Sequence, residues 1–212
     1  MSTFRFAIMG AGNIAHQFCD AVTLVEDCEV SAIASKDLGR AQKFAEECSV
    51  AHAYDNYEQM LIEEKPDCVY IAVTPNDHFR LTMLCLEHRV PVLCEKAMFT
   101  NSAEAKAVFE KAEKDQTFVM EAMWSRFLPA VNQAKKWAAE GKIGRLEALQ
   151  GRIGFLAPEG ADNRYHSPLL CGGAATDITV YAYEIATWLV NEPVRKTYAA
   201  ANLDQTGVDL TD

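Results

Sequence analysis

Gly10-Ala-Gly12-Asn13-Ile14-Ala15 matches G-x-G-x-x-G/A, a spacing that can cradle a dinucleotide. The first glycine permits a tight turn, and the second lets backbone approach a pyrophosphate. The small third residue lets the following helix pack closely on its strand. That helix start would offer backbone N–H groups and a positive dipole end to phosphate. In an NAD-binding unit, an acid about 20 positions after the glycines holds the ribose 2′-hydroxyl. Here the second strand ends in Ser35-Lys36, and Arg40 follows at the next helix start. A hydroxyl and two cations suit a 2′-phosphate, hence NADP over NAD. The same residues suit a solvated helix start capped by Asp37, and the two readings are compatible. Asn76 and His78 follow an apolar strand, at the sheet edge where α/β proteins bind ligands. His78 equally suits local hydrogen bonds at a helix start. Lys96 ends another apolar strand, which aims it into a cleft, although lysines are commonly exposed. Arg164 is a candidate substrate contact in a loop. Asp177 and Tyr181 stand i, i+4, on one face of a regular helix.

These residues need an alternating strand–helix frame, and the chain reads as one. Strands are predicted at residues 4–9, 29–34, 51–54, 67–74, 90–96 and 118–121. They are apolar runs of the kind buried on both faces of a parallel sheet. The helix after the glycine turn is predicted to bury Ile14, Phe18, Val22 and Val25. A turn at residues 75–78 precedes a helix over 79–88. Asn101-x-x-Glu104 resembles a capping box, opening a helix with Ala105, Val108, Phe109 and Ala112 inward. The fold class is α/β: a doubly wound parallel sheet over residues 1–121, then an α+β domain over 122–212. In the second domain, a helix is predicted over 129–140, a strand over 146–155 and a loop over 157–170. A helix over 171–189 follows, with Ile178, Ala182, Ile185 and Leu189 as its core stripe, then a strand over 195–203.

Composition limits the function classes. The 212 residues carry a net charge of −10, which argues against nucleic acid or an anionic membrane as partner. No apolar run is long enough to span a bilayer. Seven scattered cysteines, with no Cys-x-x-Cys pair, read as reduced thiols of a cytoplasmic protein, with no disulfide framework or metal site.

With these residues placed, the chain resembles the Gfo/Idh/MocA oxidoreductase family, and within it the dimeric dihydrodiol and D-xylose dehydrogenases. The resemblance rests on residues 10–15, Ala34-Ser35-Lys36-Asp37, Thr74-Pro75-Asn76, Val92-Leu-Cys-Glu95-Lys96, Met120 to Pro129 and Gly172 to Tyr181. It implies an NADP-binding Rossmann domain whose contacts include Thr74, Pro75 and Glu95. It also implies an α+β domain with an open, mostly antiparallel sheet that packs against the cleft and another subunit. Lys96, Asp177 and Tyr181 are implied as the catalytic group, with Tyr181 as acid/base and Lys96 lowering its pKa. Trp124, Arg126, Arg164 and Asp177 are implied at the substrate.

The chain departs from the family pattern at Ala97 (usually proline), Cys171 and Thr179 (usually glycine), and in a shorter stretch between Thr74 and Glu95. It is expected to end inside the second domain, leaving that sheet incomplete. The implied activity is hydride transfer between NADP(H) and a secondary alcohol or carbonyl of a sugar or cyclic diol. The alternative is a non-catalytic NADP-binding or interaction protein.

Overall fold

The structure is a computed structural model and describes residues 3–158, 160 and 163–210. The chain divides into two compact units, Met1–Ala122 and Met123–Asp212. In the first, strands β1 (Phe4–Met9), β2 (Cys28–Ala34), β3 (His52–Tyr54), β4 (Cys68–Ile71), β5 (Val92–Cys94) and β6 (Val119–Glu121) form one sheet. Every pairing is parallel and the order is β3-β2-β1-β4-β5-β6, the doubly wound arrangement. Successive residues of β1 serve opposite faces, as a strand requires. Ala7 and Met9 join a core with Met60, Leu81 and Val92, whereas Ile8 joins Ile33, Phe44 and Tyr70.

Helices α1 (Asn13–Val22), α2 (Leu38–Cys48), α3 (Tyr57–Glu64), α4 (Pro75–Glu87) and α5 (Ser102–Asp115) complete this unit. Asp37, Asn56 and Asn101 each cap a helix by accepting the N–H three residues on. Two expectations change. The face that α1 buries is Ala15, Cys19 and Val22, while Ile14 and Val25 are exposed. A helix drawn close to its strand by a glycine turn fits only small residues beneath it. Phe18 instead stacks on Tyr70, with ring centroids 3.9 Å apart. The second change is at residues 75–78, which form the first turn of α4 rather than a separate turn. Pro75 occupies its first position, where the missing N–H costs nothing.

The second unit holds a 3₁₀ turn (Trp124–Phe127), helix α6 (Pro129–Ala139), 3₁₀ turns at Arg164–His166 and Pro168–Leu170, and helix α7 (Val180–Val190). A π turn, Ala175–Thr179, leads into α7. A small hairpin pairs β7 (Asn202–Leu203) with β8 (Asp209–Leu210). The strands predicted over 146–155 and 195–201 do not form, because neither stretch has a ladder partner among the described residues. The antiparallel sheet is therefore the two-strand ladder alone among the described residues. Residues 159, 161 and 162 of the predicted loop lie outside the described residues. Among the described residues, no helix is long and apolar enough to cross a membrane.

Gly10 has φ +110°, and a Cβ there would stand 2.6 Å from the Ala72 carbonyl oxygen. Gly12 has φ −103° and meets only that oxygen, at 3.9 Å. Gly10→Ala should therefore cost at least ~2 kcal/mol of stability, whereas Gly12→Ala should cost less than ~1 kcal/mol. Urea unfolding of both variants checks this, and equal losses would refute the assignment.

Candidate functional site

The carboxyl ends of β1, β2, β4 and β5 carry the residues expected at the nucleotide. Gly12 is the N-cap of α1 and has no side-chain cap bond; Asn13 and Ile14 are exposed in the first turn. The space beside Gly12 is open, so the turn fits a diphosphate on its backbone. His16 fixes this turn by donating from Nδ1 to the Gly12 carbonyl at 3.0 Å while Nε2 meets Glu47 at 3.0 Å. The Glu47 bond is the main cause of a raised His16 pKa.

Ser35 is buried at the end of β2. Arg40 reaches back to the Ala11 carbonyl, with Nη2 3.4 Å from the oxygen. Lys36 Nζ lies 2.6 Å from Asp77 Oδ2, and Arg80 Nε lies 2.9 Å from Asp77 Oδ1. Arg80 first, then Lys36, holds the Asp77 pKa below its usual value. The sequence reading found no acid at the ribose position. The fold brings Asp77 of α4 to Lys36, a contact that linear spacing does not reveal.

Thr74, Pro75 and exposed Asn76 form the N-terminal turn of α4. His78, one turn in, is 0% exposed. Its Nε2 is 3.0 Å from the Val73 carbonyl oxygen, and its Nδ1 is 3.0 and 3.2 Å from those of Ala97 and Met98. His78, expected at the cofactor, forms a clamp joining the ends of β4 and β5. Glu95 is likewise turned inward, accepting the Tyr70 hydroxyl at 2.5 Å, and burial raises its pKa. Lys96 is partly exposed beyond it, and the Lys96–Ala97 peptide is cis.

In the second unit, Asp177 lies in the π turn and Tyr181 in the first turn of α7. The i, i+4 alignment expected for them assumed an unbroken α-helix; the wider turn alters it. Such turns are rare and recur at functional sites. Arg164 Nη2 donates to Asp177 Oδ1 at 3.1 Å, and Trp124 Nε1 donates to the Tyr181 hydroxyl at 3.0 Å. Arg126, expected at the substrate, is paired with Glu184 and lies over the Trp188 ring. Ser125 also donates to Glu184, at 3.3 Å. These bonds fix the 3₁₀ turn that presents Trp124 to Tyr181. The stripe expected along the 171–189 helix (Ile178, Ala182, Ile185, Leu189) is only partly buried, and Glu184 is the buried residue of α7. Its signal was available, since a lone carboxylate in an apolar helix needs a partner.

Burial pushes the His78 pKa below the usual 6.5, against the pull of its carbonyl partners. Below about pH 6.5 the unfolded chain then binds more protons at this position than the folded one, so His78 contributes less stability as pH falls. Glutamine cannot titrate there. The stability difference between the natural chain and His78→Gln should shrink between pH 7 and pH 5; a difference independent of pH, by calorimetry, would contradict the clamp's protonation state.

The model of the oxidoreductase family with NAD-binding Rossmann fold, Gfo/Idh/MocA, matches residues 4–123. The Gfo/Idh/MocA C-terminal domain matches residues 131–212. Trans-1,2-dihydrobenzene-1,2-diol dehydrogenase from Mus musculus is 32% identical over 98% of this chain and 62% of its own length. The chain thus spans under two thirds of that relative. A probable dehydrogenase from Thermotoga maritima superposes with TM-score 0.80 at 21% identity, covering 95% of this chain and 60% of the other. A 3-ketoreductase from Actinomadura kijaniata, in complex with TDP-benzene and NADP, superposes with TM-score 0.63 at 26% identity, covering 68% and 44%. The glycine turn on a doubly wound sheet, the strand-end lysine and the Asp177–Tyr181 helix thus sit in a chain matched along most of its length, and it belongs to the Gfo/Idh/MocA family of oxidoreductases.

Proposed function

We propose that this chain is an NADP-dependent oxidoreductase acting on a secondary alcohol of a sugar or cyclic diol, or on the matching carbonyl. The observation that carries this reading is the pair of contacts around α7. Tyr181 receives an indole N–H, and Asp177 receives a guanidinium. A hydrogen-bond donor on a phenolic oxygen favours the phenolate, which is the form that accepts a proton. In the oxidation direction Tyr181 takes the substrate hydroxyl proton. Asp177, steadied by Arg164, orients the neighbouring hydroxyl. Trp124 offers an apolar ring face beside the reacting group, suited to a sugar or diol ring. Lys96 is proposed as the cation of the catalytic group, the role that the family resemblance implies for it. The bound nicotinamide supplies the hydride chemistry. The diol dehydrogenase name of the mouse relative supports this substrate class.

The nucleotide is held by the Gly10–Gly12 turn, Asn13, Ile14, Thr74, Pro75 and Asn76, with Ser35, Lys36 and Arg40 at the 2′-phosphate. Exposed Leu169, Tyr198 and Leu203 of the second unit suit burial against a second copy. Cysteines that form no disulfide among the described residues suit a reducing cytoplasm. A non-catalytic NADP-binding role is the second reading, favoured by the short ladder of the second unit.

Turnover on a panel of sugars and trans-diols with NADP+ separates the two readings. Tyr181→Phe should lower kcat about a hundredfold or more, with NADP affinity nearly unchanged. Near-normal turnover in this variant would remove the tyrosine from the mechanism. For the nucleotide, Lys36→Asp should weaken NADP binding about tenfold or more and spare NAD. Asp77→Asn, which releases Lys36, should tighten NADP severalfold. Equal dissociation constants for NADP and NAD in the natural chain would overturn the preference.

A further inference from the structure

The β7–β8 hairpin lies against the start of the helix that carries Asp177. Asp209 Oδ2 accepts the Ala175 N–H at 2.7 Å, satisfying one of the donors that a helix start leaves without an intrahelical partner. A negative charge at that end is also favourable. Gly173 (φ +116°) lies directly against the Asp209 carboxylate, and a side chain there would collide with it. Gly172, beside it, lies against the carbonyls of Arg164 and Tyr165. The two glycines thus let a loop and a hairpin close on one helix start.

The turn of the hairpin reaches that loop. Asp204 Oδ2 lies 2.9 Å from His166 Nδ1. Its Oδ1 accepts the Thr206 N–H at 2.7 Å, the Thr206 hydroxyl at 2.5 Å and the Val208 N–H at 3.2 Å. Thr206 first, then His166, holds the Asp204 carboxyl well below the usual carboxylate range. His166 closes the 3₁₀ turn that begins at Arg164, and Arg164 pairs with Asp177. The contacts close into a ring: Asp177 to Arg164, along the turn to His166, across to Asp204, through the hairpin to Asp209, and onto Ala175, two residues before Asp177.

We infer that Asp204 and Asp209 are positioning residues, and that the β7–β8 hairpin is a brace fixing Asp177 against Arg164. A two-residue ladder is marginal alone, and the side-chain bonds of Asp204 and Asp209, with buried Val208 beside Gly173, help join the hairpin to this segment. The brace sets where the Asp177 carboxylate stands without touching substrate. The inference rests on the reading of Asp177 as part of the catalytic group.

The test uses the full chain with Asp209→Ala, Asp209→Asn and His166→Gln. Asparagine keeps an acceptor oxygen for the Ala175 N–H; alanine does not. Hydrogen exchange, which needs no substrate, should quicken in Asp209→Ala across residues 164–181 and stay unchanged in the Rossmann unit. With a turned-over diol or sugar, Asp209→Ala should lower kcat tenfold to a hundredfold, leave the NADP dissociation constant within about twofold, and be largely rescued in Asp209→Asn. In an Asp177→Asn background, Asp209→Ala should cost nothing further. His166→Gln, cutting the ring elsewhere, should give a smaller loss of the same kind. Unchanged exchange over 164–181, or exchange that quickens throughout the chain, would overturn the brace whether or not any substrate is turned over. So would an equal loss of kcat in both backgrounds. Absence of turnover in the natural chain, with the local exchange change present, would instead refute the catalytic reading and leave the brace standing.

Discussion

The nucleotide edge depends on one close approach, that of the Gly10 backbone to the Ala72 carbonyl. Gly10 follows β1 and Ala72 follows β4, two neighbouring parallel strands. The approach leaves no room for a Cβ, and the positive φ turns the chain sharply into α1. The turn brings Ala15 and Cys19 against the sheet and leaves the first residues of α1 exposed. A larger residue at 10 would push β1 and β4 apart at the edge where Thr74–Asn76 begin. The Gly10–Gly12 turn and Thr74–Asn76, both proposed to hold the nucleotide, therefore share one geometric origin.

Buried polar side chains do the holding elsewhere. An isolated charge or imidazole in an apolar interior is costly, so each must find fixed partners. Glu64, at the far edge, gathers Arg5 at 2.8 Å, the Tyr54 hydroxyl at 2.6 Å and His52 at 2.6 Å. His78 ties the end of β4 to the segment after Lys96. Glu184 ties the Trp124 turn to α7. In the last two cases the segment held carries a residue with proposed chemistry. The obligation to satisfy a buried group thereby becomes positional precision in a neighbouring one.

Local signals were legible, and contacts distant in sequence were not. The glycine turn, the apolar strands and the Asp37 and Asn101 caps depend on residues within a few positions of each other. The inward turn of Glu95 depends on Tyr70, on a neighbouring strand. The role of Arg126 depends on Glu184. Asp77 escaped notice because it reaches Lys36 from a different strand–helix unit. The stretch over 146–155 has strand-like residues, but ladder hydrogen bonds need a second strand, and period-two patterning says nothing of whether one is present. The π turn at Asp177 was invisible because its residues have no composition that distinguishes them from an ordinary helix.

The proposed preference for NADP rests on a competition at Lys36. Its side chain is 69% exposed, and its carboxylate partner is 13% exposed. Water screens the exposed lysine end of this pair, and both side chains lose freedom in holding it, which weakens it. A charge-assisted bond from lysine to phosphate contributes about 1.5–3 kcal/mol. Asp77 is not left unpaired when Lys36 turns away, since Arg80 Nε remains 2.9 Å from its other oxygen. On the proposed reading, the phosphate contact outweighs the ion pair it replaces. Asp77 nonetheless keeps a negative charge near that edge, which opposes a dianionic group and narrows the margin. Arg40 offsets that charge from the side of the glycine turn, where its guanidinium already lies beside the Ala11 carbonyl. In the proposed preference, the balance between two cations and one carboxylate counts for more than the absence of an acid from the end of β2.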